Sequence, residues 1–113
     1  ENDRSMAYYH WWPKKNSTEW ITYEFPKPSK VSSSTVYWFD DEPWGGCRVP
    51  QSWKLYYKDE QGGWTPVSAA GTYGTKKGVP NTVEFTPVQT TAMKLEVVLP
   101  KDNSAGVFEW EVE

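Results

Sequence analysis

The chain has one cysteine, Cys47, one histidine, His10, and only eight leucines and alanines together among 113 residues. A single cysteine excludes an internal disulfide and any metal site built on thiolates, so packing alone must hold the fold. Cys47 lies between Gly46 and Arg48 and reads as a small inert filler. With no second histidine to serve as base, no nucleophile is assigned. Scarce leucine and alanine count against helices. No stretch approaches the roughly 18 apolar residues of a membrane-spanning helix. Residues 1–8 lack the basic-then-apolar pattern of a signal segment. Basic runs are missing as well: 12 basic against 15 acidic residues leave a net charge of -3. That balance excludes a sequence-independent grip on nucleic acid or on an anionic membrane. A chain this short buries only about two-thirds of its unfolded surface, enough for one core, which counts against a self-contained enzyme.

What is abundant is β-branched and aromatic. Eleven valines, ten threonines and 19 aromatic residues, eight of them tryptophan, favour strands by propensity. Alternation of period two supports this: Trp53, Leu55 and Tyr57 point one way, Lys54, Tyr56 and Lys58 the other. The same reading turns inward Ile21, Tyr23 and Phe25, then Val36 and Trp38, then Val83 and Phe85. It continues with Met93, Leu95, Val97 and Leu99, and ends with Phe108, Trp110 and Val112. Between these runs stand turn signals: Pro26 and Pro28, Gly45-Gly46, Gly62-Gly63, Gly71, Gly74, Gly78 and Pro80-Asn81. Six or seven short strands with such punctuation predict an all-β fold, a β-sandwich jelly roll of two antiparallel sheets in one domain spanning 1–113.

If consecutive strands run antiparallel, their connections alternate between the two ends of the sandwich. One end then receives the short segments 26–30, 59–63 and 87–91. The other receives the long segments 8–19, 40–51, 69–81 and 100–106, and long loops in a compact domain are usually functional or disordered. Those long segments carry rings, carboxylates and cations. Rings interleaved with polar groups suit a polyhydroxylated ligand. A sugar offers an apolar C–H face for stacking and hydroxyls for directed hydrogen bonds.

The residues assigned to that chemistry are His10, Trp11, Asp40, Asp41, Trp44, Arg48 and Tyr73. Each has a plainer reading. Trp12, followed by Pro13, reads as a core plug, and Trp11 beside it faces either outward or into the core. Trp44, between Pro43 and Gly45-Gly46, sits where no regular element buries it. Arg48 either donates to a ligand or staples loops beside Asp40 and Asp41, and His10 is either a ligand donor or a structural histidine. Adjacent Asp40 and Asp41 diverge on an extended segment and cannot flank one glycosidic bond at the roughly 5–9.5 Å a glycosidase pair needs. No enzyme activity is therefore assigned. Asp3, Ser5 and Glu109 are oxygen donors near the two chain ends, where calcium could tie termini that otherwise fray.

Several stretches in order resemble one family. Trp20-Ile-Thr-Tyr-Glu-Phe25, Lys27-Pro28, Val31 and Val36-Tyr-Trp38 are similar to the core of discoidin-like domains, also called the coagulation factor 5/8 type C or galactose-binding-like family. Gly46-Cys-Arg-Val-Pro50, Ser52-Trp53, Leu55, Tyr57, Trp64 and Val67 are similar to its central stretch. Asn81-Thr-Val83, Lys94-Leu-Glu-Val97 and Glu109-Trp-Glu-Val112 resemble its last three strands. The resemblance covers nearly the whole chain. It implies a galactose-binding-like jelly roll, sugar bound by loops at one end, and often a structural calcium. Glu109 is the position matched to the family's C-terminal carboxylate ligand. It also implies that the chain enters the fold one strand late, and the lone Cys47 departs from the disulfide-closed animal members.

Bacterial members resembling this chain are commonly appended to secreted glycoside hydrolases as family 32-type carbohydrate-binding modules. The expectation is a non-catalytic, monomeric, extracellular or cell-surface module. It targets an attached hydrolase to a carbohydrate such as a galactoside, xylan or an arabinose-containing polysaccharide, with neither nucleic acid nor membrane as partner. The alternatives are a protein- or lipid-interaction domain, or a structural spacer between enzyme domains.

Overall fold

The computed structural model describes residues 5–11, 14–39, 47–69, 71, 73–76 and 79–113, and the side chains from Trp11 onward among them, except those of Phe39 and Phe108. Every regular element among the described residues is a strand. They are β1 (Ser5–His10), β2 (Thr18–Phe39), β3 (Cys47–Arg48), β4 (Ser52–Lys58), β5 (Trp64–Pro66), β6 (Asn81–Val98) and β7 (Ser104–Val112).

Two of these strands are long enough to belong to both layers of the sandwich. The first half of β2 pairs antiparallel with the second half of β6, from Thr18 opposite Val98 to Glu24 opposite Ala92. On the far side of that half of β6 lies β4, from Ser52 opposite Val98 to Tyr57 opposite Met93, with β5 beyond it. The second half of β2 pairs with the first half of β6, up to Val36 opposite Asn81, and on its other side with β7, from Ser34 opposite Val112 to Phe39 opposite Gly106. β1 closes this second layer against β7. The result is the jelly-roll β-sandwich the sequence predicts.

The connections expected at 26–30 and 87–91 are not loops. β2 and β6 run straight through them, paired to each other at Ser29 and Thr90, Lys30 and Gln89, and Val31 and Val88. The register shifts between Glu24 and Ser29 and again between Val31 and Ser33. Pro26 and Pro28 fall in the first of these interruptions, where a missing N–H costs no ladder bond. Strands that change sheets through bulges are how a sandwich turns a corner. Proline here therefore marks a bend within a strand and not its end.

Inward alternation puts Ile21, Phe25, Trp53, Leu55, Met93, Leu95 and Val97 from one layer against Val36, Trp38, Val83, Phe85, Val107, Trp110 and Val112 from the other. Each fully buried aliphatic side chain contributes about 1.5–3 kcal/mol of transfer free energy. The expected inward place of Phe108 falls on a side chain outside the described residues, but the backbone of β7 changes phase beside it. Tyr37 faces Glu109 while Trp38 faces Val107, so a bulge skips position 108 and passes the buried phase from Val107 to Trp110. The Trp110 indole remains satisfied, donating to Ser34 Oγ at 2.8 Å, whose hydroxyl donates to Glu111 O at 3.0 Å.

Candidate functional site

The sandwich gathers its longer connections at one end, and the start of β7 is where they meet. His10 and Phe39, the last residues of β1 and β2, both pair with Gly106, one from each side. Where β2 stops, β3 takes its place, running parallel to β7 with Cys47 opposite Ser104 and Arg48 opposite Ala105. The Trp11 N–H donates to Ala105 O at 3.0 Å, so the backbones of Trp11 and Arg48 flank the same residue. At a strand spacing of about 4.8 Å the two lie roughly 10 Å apart. Of the segments expected to converge, 8–19 and 40–51, the described parts thus meet at the level of the backbone, through Trp11 and Arg48. The chain then turns: Lys14 N donates to Trp11 O, Asn16 N to Pro100 O, and Leu99 N to Ser17 O. Asn16 adopts a φ of 54°, a left-handed conformation that asparagine tolerates better than most residues.

A second lobe of the same end is built around Gly74. Its carbonyl accepts two indole N–H groups, Trp53 Nε1 at 2.6 Å and Trp38 Nε1 at 3.2 Å, one from each layer. The Asn81 side chain, 7 % exposed, closes the loop on its other side. It accepts from Lys76 N at 3.0 Å and donates to Lys76 O, Val79 O and Val36 O at 2.8–3.2 Å. Tyr73 is thereby set edge-on to Trp53, ring centroids 4.8 Å apart. Burial pushes its phenol above the ordinary range, partly offset by a backbone hydrogen bond at Leu55. The loop presents a half-buried ring beside exposed Lys76 on a rigid base.

The expected site residues fare differently. Trp11 is corrected: it is 5 % exposed and packs in the core cluster. Its backbone is still held to β7, and the indole closes the top of the core instead of offering a stacking face. Arg48 is half-buried, with Nη1 donating to Cys47 O at 2.8 Å. Asp40, Asp41 and Trp44 lie outside the described residues, as does the His10 side chain. Of the expected calcium donors, Asp3 is also outside them, and Ser5 opens β1 opposite Glu111 with its side chain undescribed. Glu109 sits opposite Ala7. Glu111 is held above the ordinary carboxylate range by a hydrogen bond with Glu109, then by burial and by the charges of Glu109 and Glu113. Oxygen donors of that kind suit a hard cation. Among the described residues no three histidine, cysteine or carboxylate groups come together as a metal site.

Three residues read in the sequence only as turn signals or as parts of the family resemblance take further places in the structure. Asn81 and Gly74 form the loop clamp, and Trp20 stands 56 % exposed on the outer face of β2. Trp20 had a legible signal, since the inward phase of Ile21, Tyr23 and Phe25 puts its neighbour outside. The Asn81 network joins residues whose approach follows only from the folded loop.

A profile described as F5/8 type C domain matches residues 2–111. Among solved structures, the Streptococcus pneumoniae β-galactosidase BgaA superposes with a TM-score of 0.78 at 15 % identity, over 94 % of this chain and 78 % of that one. The family 32 module of Clostridium perfringens NanJ, solved with galactose, gives 0.70 at 19 % identity over 93 % and 74 %. A second C. perfringens module, CpGH89CBM32-5, bound to GalNAc-β-1,3-galactose, gives 0.70 at 18 % over 93 % and 73 %. At these identities the likeness establishes the fold.

Proposed function

The chain belongs to the F5/8 type C family, and from that premise we propose that it is a non-catalytic carbohydrate-binding module that takes its ligand at the end where β7 begins. The observation that carries this reading is the convergence on Ala105 and Gly106 of the ends of β1 and β2, of Trp11 and of β3, beside the clamped loop that holds Tyr73 and Lys76. Arg48 and Lys76 supply donors for hydroxyls, Tyr73 an apolar edge, and the intervening segment 40–46 carries Asp40, Asp41 and Trp44. The solved relatives bound to galactose and to GalNAc-β-1,3-galactose support a galactoside as the first ligand to test.

One ring and a few hydrogen bonds support weak binding, about -4 to -8 kcal/mol, made useful by avidity in a longer protein. In this reading the module targets an attached secreted glycoside hydrolase to its substrate outside the cell. Calcium is proposed at Glu109 with Ser5 and Asp3, where it would tie the chain ends. Added calcium should then raise Tm, and a chelator should lower it.

Affinity electrophoresis in gels containing galactan, xylan or arabinan tests the main reading. Retardation is expected with the galactan, and it should be lost in Arg48→Ala and in Trp44→Ala while each variant unfolds near the wild-type temperature. Full retardation in both variants would sink it.

A further inference from the structure

At the opposite end of the sandwich, where β2 and β6 cross between layers, the surface is concave. One cleft of about 500 Å³ lies between Pro28, Lys58, Gln89 and Thr91, and an adjoining one of about 400 Å³ lies between Tyr57, Gln61 and Val88. The two share Asp59, Glu60 and Gln89, so they form one trough. Each volume falls within the roughly 300–1,000 Å³ typical of small-ligand sites.

The walls of this trough are fixed before any ligand arrives. The Asp59 carboxylate is engaged by the turn, accepting from Gln61 N at 3.0 Å, Gly63 N at 2.9 Å and Thr65 Oγ1 at 2.8 Å. Thr90, 3 % exposed, ties the strand below it to β4, its hydroxyl donating to Lys58 O at 2.8 Å and accepting Lys58 N–H at 3.1 Å. Four other side chains, those of Glu60, Gln61, Gln89 and Thr91, make no hydrogen bond with the described residues and stand in water. Amides that both donate and accept, a carboxylate and a hydroxyl match the alternating donors and acceptors of a diol. Pro28 on one side and Tyr57 with Val88 on the other supply short apolar strips. A protein partner would favour a continuous apolar centre, and a cation would need converging oxygens, which the engaged Asp59 does not provide.

We propose that this trough is a second glycan subsite, separate from the loop end, for a neutral polyhydroxylated chain. Its ligand class rests on the reading above, and its position does not. A module with one site at each end bridges two chains, or two segments of one chain, and gains affinity through effective concentration.

An amide NMR titration of the intact chain reads the two ends separately. The probes are galactose, N-acetylgalactosamine and a galactan oligosaccharide. Saturable shifts are expected at Glu60, Gln61 and Gln89 as well as at Arg48, Tyr73 and Lys76. Gln89→Ala should weaken the first group about fivefold, the worth of one hydrogen bond, and leave the second unchanged. Gln89 is exposed, so this variant keeps its fold. Shifts at the loop end alone overturn the second subsite and leave the main reading standing. Shifts at the trough alone support the subsite and overturn the main reading. Trough shifts that persist at full strength in Gln89→Ala overturn the subsite, and no shifts with any probe overturn both.

Discussion

The two ends of the sandwich are held by different means. At the trough end the chain barely leaves regular structure: β2 and β6 pass from one layer to the other while still paired, and two side chains suffice, Asp59 to fix the 59–63 turn and Thr90 to tie β6 to Lys58. At the loop end the strands stop, and the segments between them are shaped by side chains reaching up from the core. Trp38, Trp53 and Asn81 all converge on the stretch 74–79. An end built from paired backbone tolerates change in its side chains. An end built from a few buried polar contacts depends on each of them, which makes it adaptable in sequence around those points and brittle at them.

The largest test of that contrast is Asn81→Ala. Removing the side chain leaves the buried Val36 carbonyl short of a partner, and with it the part-buried carbonyls of Lys76 and Val79 and the Lys76 N–H. A loss of about 2–4 kcal/mol is expected in chemical denaturation, together with loss of glycan retention in the surviving folded protein. If stability falls by less than about 1 kcal/mol, the clamp is not what shapes this end. Gly74→Ala should act through the same point with a smaller effect. The new Cβ would lie 2.7 Å from Asn81 Oδ1, an atom already committed to Lys76 N and unable to swing away. About 1–3 kcal/mol is expected, with the indole contacts at the Gly74 carbonyl displaced. Retention should fall more steeply than Tm.

The same contrast explains what the sequence revealed. Alternation located nearly every buried strand position because each strand has one wet and one dry face. It did not foresee the bulge beside position 108, which no local pattern announces and which moves the phase of β7 by one residue. The end-by-end count of connections correctly separated the two ends. It misjudged 26–30 and 87–91, because proline signals an interrupted ladder equally well at a bend and at a loop. At the loop end, the meeting of residues 8–19 with 40–51 was legible from strand order alone. The burial of Trp11 was not, since it depends on where the chain turns after Trp11 has met Ala105. The Gly74 clamp was also hidden, because it joins Trp38, Trp53 and Asn81 across two layers.

Asp59→Asn probes the trough end, and its effect should be smaller than either substitution above. The Asp59 carboxyl is held below its usual 3.8 by the Thr65 hydroxyl first and by the Gly63 N–H next. A depressed carboxyl stabilises the fold above its unfolded value and loses that contribution as pH falls through its folded one. Wild type should therefore exceed the variant in Tm by a constant margin at neutral pH, and the margin should shrink below about pH 4. A margin that persists unchanged at pH 2 would mean that the turn is held by backbone geometry and not by the charge.

The smallest expected effect, Glu111→Gln, lies on the outer face of β7 away from both sets of contacts. Here the shift has the opposite sign: the hydrogen bond with Glu109, burial and two neighbouring negative charges raise the carboxyl above its usual 4.5. The folded state then binds the proton more readily than the unfolded one. The repulsion weighs against the fold at neutral pH and is relieved as pH falls toward the unfolded value. Glu111→Gln should gain up to about 0.5 kcal/mol at pH 7, with the gain vanishing below about pH 4.5. Glycan retention at the loop end should not change, because neither the Ala105–Gly106 junction nor the Gly74 clamp touches this side chain. A change in retention without a change in stability would show that the outer face of β7 is coupled to the loop end, and the division between the two ends would have to be redrawn.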